Sequence, residues 1–190
     1  VTFQILNKDE IMTPNFLKKW AQILKLNNFI LVFLPVFLVL AKCTLDDIAY
    51  DPLLALFSGF GAFALHAAVN LRNYYLDHLS GLDRIHPQSE SKSIQKGWIT
   101  ANQVKFFSNL FIGIGFLFGL PSVLFFPELI FIVFALLVLG FIGIQSYRFG
   151  LKYRLWTEVT SYLLLGPFLT IGFQMSIGAH YDLETILIGL

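Results

Sequence analysis

The sequence predicts an all-α protein, a polytopic transmembrane helical bundle. Its composition favours this class over a soluble domain, because hydrophobic residues make up 56% of the 190 positions and charged residues only 13%. The chain also contains several uncharged runs that reach or approach the roughly 20 residues an α-helix needs to cross a hydrocarbon core. The single cysteine, Cys43, cannot form an internal disulfide.

The uncharged runs divide the chain into two parts. Residues 1–26 are expected to form an N-terminal interfacial segment, and residues 27–190 one bundle domain. Five spans and the start of a sixth helix are predicted in the bundle, at 27–41, 52–69, 106–120, 129–147, 159–181 and from Thr185 onward. We expect Pro35 to bend the first span and Pro121 to end the third. Because the last run stops at Leu190, the sequence is expected to belong to a longer chain.

Residues 13–26 predict a short amphipathic helix at the membrane surface. Thr13 can cap this helix, and Pro14 suits its first position. Its lysines are available to face lipid headgroups, and four apolar side chains recur on one face: Phe16, Trp20, Ile23 and Leu24. The simpler interpretation is an anchor that only fixes topology.

Lys and Arg are distributed unevenly over the loops. Twelve of the 13 basic residues precede the first span or lie between spans two and three or four and five, and only Lys42 lies opposite. Six acidic residues occupy the other side: Asp46, Asp47, Asp51, Glu128, Asp182 and Glu184. Because Lys and Arg accumulate in cytoplasmic loops, we expect a cytoplasmic N-terminus. The expected location is a bacterial inner membrane or its equivalent, with lipid and no nucleic acid as partner.

A polar stripe follows the second span, in the stretch NLRNYYLDHLSGLD at residues 70–83. If the helix continues through this stretch, spacings of four, three and four residues align His66, Asn70, Asn73 and Asp77 on one face. Polar side chains in this alignment are expected to face a bundle interior or a wet cavity rather than lipid. Hydrogen bonding between helices by the His and Asn side chains is the simpler alternative.

The residues after the stripe extend this chemistry. Gly81 permits a turn, after which Asp83 can return to the same cavity mouth. Carboxylate and amide oxygens suit Mg²⁺, which keeps water ligands and bridges phosphate oxygens. Cationic donors for a phosphate follow at Arg84, Lys92 and Lys96. The pattern favours a lipid-like diphosphate, with its head at the interface and its chain in the bundle.

The stretch 70–83 resembles the first Asp-rich motif of the UbiA superfamily of membrane aromatic prenyltransferases. Its spacing to SGLD is most similar to the menaquinone-biosynthesis branch, which uses 1,4-dihydroxy-2-naphthoate. KSIQKGWITANQV at 92–104 is similar to the pattern that opens the third helix of the family. YRFGLKYRLWTEVTSYLLLGPFLTIG at 147–172 resembles the family's loop and fifth helix. The likeness runs over essentially the whole chain.

The resemblance implies a nine-helix bundle that transfers a polyprenyl group from its diphosphate to an aromatic acceptor, with Mg²⁺ as cofactor. It implies these catalytic residues: Asp77, Asp83 and Lys152. It implies these substrate-binding residues: Asn70, Asn73, Lys92, Arg148 and Tyr153. It implies these metal ligands: Asn73, Asp77 and Asp83. In the implied reaction the diphosphate leaves, an allylic cation forms, and the electron-rich ring attacks it.

Departures from the family pattern keep a second function open. Tyr74 stands where most relatives have Asp, and Arg148 replaces a small or neutral residue. The family's second Asp-rich motif follows the sixth helix and so lies past Leu190. The alternative is a non-catalytic UbiA-like protein, a structural or quinone- or pigment-associated subunit of a membrane complex.

Overall fold

The computed structural model describes residues 16–81, 93–133, 135, 138, 155–180 and 182–190, and every regular element in these ranges is a helix. The elements are α1 (Phe16–Leu24), a 3-10 helix (Leu26–Phe29), α2 (Ile30–Leu45), α3 (Pro52–Ser80), α4 (Ala101–Phe125), α5 (Leu155–Leu165), α6 (Pro167–Ser176) and α7 (Leu183–Ile188). Residues 129–133 begin a further helix. The predicted all-α class is confirmed for these ranges.

Three helical stretches are long and apolar enough to cross a membrane. They are Leu26–Leu45 with 20 residues, α3 with 29 and α4 with 25. Each contains one of the first three predicted spans, and Pro35 lies inside α2. By length and composition these stretches indicate a membrane protein, whereas the full number of crossings and the orientation stay predictions.

The predicted end of the third span at Pro121 is wrong, because α4 continues to Phe125. A proline inside a helix removes one backbone hydrogen bond, and in a membrane helix neighbouring groups can compensate for that loss. Two contacts of Ser122 stabilise the helical turn that follows this proline. The Phe126 N–H donates to the Ser122 carbonyl at 2.8 Å, and the Ser122 hydroxyl lies 2.9 Å from the hydroxyl of Ser58 in α3.

The fifth predicted span, 159–181, contains two helices, because α5 and α6 are separated at Gly166. This glycine has φ −96° and ψ −105°, and Pro167 then begins α6. The Thr170 hydroxyl donates to the carbonyls of Gly166 and Pro167, at 3.2 and 3.0 Å. A Cβ atom on Gly166 would lie 2.2 Å from the Gly189 carbonyl oxygen. The glycine therefore lets the end of α7 approach the break.

Helices α3 and α4 form the most extensive helix pair in the described ranges. Their backbones meet at two glycines: a Cβ on Gly115 would lie 2.5 Å from Leu65 Cγ, and one on Gly61 would lie 3.2 Å from the Gly115 carbonyl oxygen. The Ser108 hydroxyl donates to the Ala68 carbonyl at 3.0 Å, within the same interface. Small residues and interhelical hydrogen bonds are the usual basis of helix association in lipid.

The ends of the bundle differ in charge, and we call the end formed by residues 42–51, 177–180 and 182–184 the acidic end. Lys42 is 8% exposed, and its Nζ lies 2.6 Å from Asp46, 3.0 Å from Glu184 and 3.1 Å from Asp182. Asp182 also caps α7 by accepting the Thr185 N–H at 2.9 Å. The Thr185 N–H and hydroxyl, together with Lys42, hold the pKa of Asp182 at about 2, below its ordinary 3.8. These contacts fix the start of α7 to the end of α2.

Replacing Gly115 by Ala should destabilise the protein, because the new methyl group overlaps Leu65 in a packed interface. Gly113→Ala is the matched control, since a Cβ there meets no heavy atom within 4 Å. We expect Gly115→Ala to lower the free energy of unfolding by about 1 to 3 kcal/mol. Gly113→Ala should leave it unchanged or raise it by up to about 1 kcal/mol, through helix propensity. Thermal unfolding in detergent measures both, and equal effects would contradict the proposed contact.

The stability contribution of Asp182 should depend on pH. Because its pKa is lower in the folded protein than its ordinary 3.8, the contribution is complete above 3.8 and is lost as the pH falls through about 2. Asp182→Asn should therefore lower the unfolding temperature at neutral pH. The difference in unfolding temperature between the variant and wild type should shrink as the pH falls from 3.8 to about 2. The control is Asp47→Asn, an exposed residue with φ 52°, a conformation that Asn tolerates. A deficit that does not change with pH would refute the assignment.

Candidate functional site

The predicted polar stripe lies at what we call the basic end, which comprises α1, residues 66–81 and the turn at 93–99. Here α3 remains one helix through Ser80 and stops at Gly81, whose φ is 74°. A hydrocarbon core of about 30 Å takes about 20 helical residues, so this 29-residue helix is two to three turns longer than one crossing requires. The helix is therefore continuous through the stripe, as the alignment of the polar side chains on one face requires.

The two members of the stripe nearest the membrane contact the N-terminal elements. Asn70 is 8% exposed, and its Nδ2 donates to the Leu24 carbonyl at the end of α1, at 3.3 Å. His66 is equally buried and lies edge-on to Phe29, with ring centroids 5.3 Å apart. Within the ranges described, its Nε2 has no hydrogen-bond partner. Asn70 therefore joins two helices, as in the simpler alternative for the stripe.

Asn73 and Asp77 lie on the part of α3 that extends past the apolar run. Asn73 is exposed and Asp77 is half-buried, so both can be reached from outside the helix pair. They are one helical turn apart and present amide and carboxylate oxygens, which suit Mg²⁺. Among the described residues no three His, Cys, Asp or Glu side chains converge on one point. A magnesium ion held here would take its remaining ligands from water, substrate phosphates or other parts of the chain.

Tyr74 has a structural role in the helix packing at the basic end. Its side chain is 1% exposed and packs in a cluster with Ile23 of α1, Ile99 and Val104. Its hydroxyl accepts a hydrogen bond from the Ile94 N–H. Tyr74 therefore ties the turn at 93–99 to α3. The sequence pattern indicated only an absent carboxylate at this position, because a contact with a backbone group 20 residues away has no local signal.

Five of the predicted site residues fall outside the described ranges: Asp83, Lys92, Arg148, Lys152 and Tyr153. Their placement relative to Asn73 and Asp77, and hence their assigned roles, stay predictions.

Several cations surround the basic end, and in the described ranges they form no ion pair: Lys18, Lys19, Arg72, Lys96 and Lys105. Two of them contact aromatic rings instead. Lys96 Nζ lies 4.9 Å from the centroid of the Trp98 ring, and Lys105 Nζ lies 5.9 Å from that of Tyr75. Cations that form no ion pair within the described residues contribute a positive potential that attracts anions.

A shallow, open pocket of about 450 Å³ lies at the acidic end, between the start of α3 and the end of α4. Leu54, Phe125 and Ile177 contribute to its mostly apolar wall, and Asp51 lies at its edge. The Asp51 carboxylate caps α3 by accepting the Leu53 and Leu54 N–H groups, at 2.8 and 3.0 Å. The pocket is at the opposite end of α3 from Asp77, so it is unsuited to a ligand that the polar stripe would bind.

Comparison of this chain with protein-family models, with curated proteins and with solved structures finds no match. The resemblance to the UbiA superfamily therefore depends on the sequence motifs alone.

Tyr74→Phe should loosen the turn at 93–99, because the Ile94 N–H loses its acceptor while the aromatic packing is kept. A neutral hydrogen bond contributes about 1 kcal/mol, which corresponds to about fivefold faster amide exchange at Ile94. Tyr75→Phe serves as the control, since Tyr75 is half-buried beside Lys105 on the same helix. Hydrogen–deuterium exchange read out by mass spectrometry measures the turn directly. Identical exchange in wild type and Tyr74→Phe would show that the hydroxyl does not hold the turn.

Proposed function

We propose that this protein is an integral, multi-pass membrane prenyltransferase of the UbiA type, with its site on the cytoplasmic side. It would transfer a polyprenyl group from its diphosphate to an aromatic acceptor, 1,4-dihydroxy-2-naphthoate being the first to test. The observation that carries the proposal is the unbroken helix α3. It places Asn73 and Asp77 one turn apart on the segment that leaves the apolar run, where a lipid diphosphate would have its head.

The charges of the basic end suit a diphosphate. Arg72 and Lys105 belong to the group of cations without an ion pair in the described ranges, so they favour an anionic head at this end. Asp77 and Asn73 supply the oxygen ligands for Mg²⁺, joined in the proposal by Asp83. When bound, Mg²⁺ stabilises the negative charge that develops on the departing diphosphate.

The apolar helices supply the other half of the proposed chemistry. Phe29 and Phe63 stack with ring centroids 5.9 Å apart, and Phe63 lies two turns deeper in α3 than Asn70. Such aromatic surfaces would contact a prenyl chain and keep water from the reacting carbon. Their faces also favour a passing carbocation. The protein's own contribution is thus the placement of two substrates and the exclusion of water.

One observation favours the alternative of a non-catalytic subunit. Tyr74 takes the place where most relatives of the suspected family have Asp, and it is 1% exposed within an apolar cluster. A buried tyrosine that holds a turn contributes no carboxylate to a metal site. A structural or quinone- or pigment-associated subunit of a membrane complex would tolerate this exchange.

Asp77→Asn should abolish Mg²⁺-dependent transfer, because the amide lacks the negative charge that binds the metal. Membranes that contain the whole protein are supplied with Mg²⁺, a radiolabelled prenyl diphosphate and the naphthoate acceptor. We expect the rate to fall by at least about 10²-fold, a typical effect of removing one preorganised electrostatic group. Asp47→Asn is the matched control, since this exposed acid lies at the opposite end of the bundle.

Two results would count against this proposal. Asp77→Asn activity within a factor of a few of wild type would remove Asp77 from the site. Absence of turnover with naphthoate, benzoate and tetrapyrrole acceptors, together with stoichiometric co-purification with other membrane proteins, would favour the subunit.

A further inference from the structure

Helix α1 has two different faces. On one face Ile23 is 1% exposed and packs in the cluster around Leu71 and Tyr74, and Trp20 meets Phe107 edge-on with ring centroids 4.9 Å apart. Leu17, two turns before Leu24 and so at the edge of this face, is 75% exposed, one of the most exposed large apolar side chains in the described ranges. Helix α1 thus buries part of its apolar face on the bundle and leaves this leucine available to a second apolar environment.

The depth of α1 is fixed by its connection to α2. α1 ends at Leu24, and α2, which belongs to the first membrane-spanning stretch, begins at Ile30. Lys25 adopts φ 53° and turns the chain sharply between them. With so short a connection α1 lies at the level of the headgroups, next to the hydrocarbon that α2 enters.

Lys18 and Lys19 give the outer surface of α1 its charge. Lys18 is exposed and Lys19 half-buried, and over the ranges described neither has an acidic partner. By contrast, Lys42 at the acidic end contacts three carboxylates within 3.1 Å. Lys42 is thus neutralised at the acidic end, whereas Lys18 and Lys19 have no counterion among the described residues at the basic end.

We propose that α1 is a binding surface for anionic phospholipid headgroups, which Lys18 and Lys19 contact while Leu17 inserts among the acyl chains. Bound lipid would hold α1 against the bundle, and with it the contact from Asn70 to the Leu24 carbonyl at 3.3 Å. The helix then acts as a lipid-dependent support for the polar stripe. This role is independent of prenyl transfer and would serve a non-catalytic subunit equally.

The test compares thermal unfolding in nanodiscs of phosphatidylcholine alone and of phosphatidylcholine with one third phosphatidylglycerol. The wild-type protein should unfold about 4 °C higher in the anionic discs, and the double variant Lys18→Gln/Lys19→Gln should lose most of this shift. Two matched variants keep or increase the charge. Lys18→Arg/Lys19→Arg should retain the shift, and Gln22→Lys, at an exposed position one turn after Lys18, should enlarge it.

A second arm separates lipid headgroups from soluble anions. Inorganic pyrophosphate added without Mg²⁺ to phosphatidylcholine discs should give no shift that depends on Lys18 and Lys19, because it cannot supply the apolar contact of Leu17. A pyrophosphate shift of the same size in wild type and in Lys18→Gln/Lys19→Gln would report binding elsewhere, at the proposed diphosphate site. If Lys18→Gln/Lys19→Gln abolishes a pyrophosphate shift, or if this variant retains the shift in anionic discs, the lipid surface is refuted. Either result leaves the proposed transfer reaction untouched, because no substrate is turned over in this experiment.

Discussion

The contact between α3 and α4 is the interaction on which the rest of the described structure depends. Lipid offers helices no hydrophobic gain for associating, so close approach and interhelical hydrogen bonds must supply the attraction. Gly61 and Gly115 provide the close approach, and the hydroxyls of Ser108 and Ser122 provide hydrogen bonds on either side of it. The remaining elements dock onto this pair. At one end α1 packs on it through the cluster around Tyr74, and at the other the Ile177 carbonyl accepts the N–H of Asp51.

The two ends of the bundle treat charge in different ways. At the acidic end Lys42 forms ion pairs with three carboxylates, and these ion pairs connect α2 to α7. At the basic end Lys96 and Lys105 lie beside aromatic rings, and Lys18, Lys19 and Arg72 form no ion pair in the ranges described. Over these ranges the five cations are therefore available to anions from outside the protein. A diphosphate and a lipid headgroup are both phosphate anions, and the proposals assign them to different surfaces: Asp77 with its bound metal for the first, α1 for the second.

The sequence predicted those features that depend on local composition. The first three spans follow from the length of the apolar runs, and α1 follows from the spacing of Trp20 and Ile23. The errors concern prolines. Whether Pro121 ends a helix depends on partners such as Ser58, which belongs to another helix and cannot be read from local pattern. The dipeptide Gly166-Pro167 is a local signal for the separation of α5 from α6, which the length of the surrounding apolar run does not reveal.

The candidate site could be predicted only in part, because here too the partners of the residues belong to other segments of the chain. Alignment of the polar residues on one face of α3 follows from helical spacing, whereas the partner of each residue depends on tertiary packing. Asn70 bonds to the end of α1, and Tyr74 bonds to the turn at 93–99. Neither contact has a local signature, because each joins segments that are far apart in sequence.

This division of the stripe has a consequence for where a diphosphate can bind. With Asn70 bonded to α1, the first polar group of the stripe that faces outward is Asn73, and Asp77 lies one turn beyond it. Moving the head of the substrate from Asn70 to the level of Asp77 displaces it by about 10 Å along the helix. In the proposed membrane orientation, that displacement would bring the head from the edge of the hydrocarbon to the headgroup region, where a multiply charged diphosphate keeps part of its hydration. Burying an unpaired anion in hydrocarbon costs much solvation free energy. A position of the diphosphate head at the level of Asp77 is therefore more favourable than one at the level of Asn70.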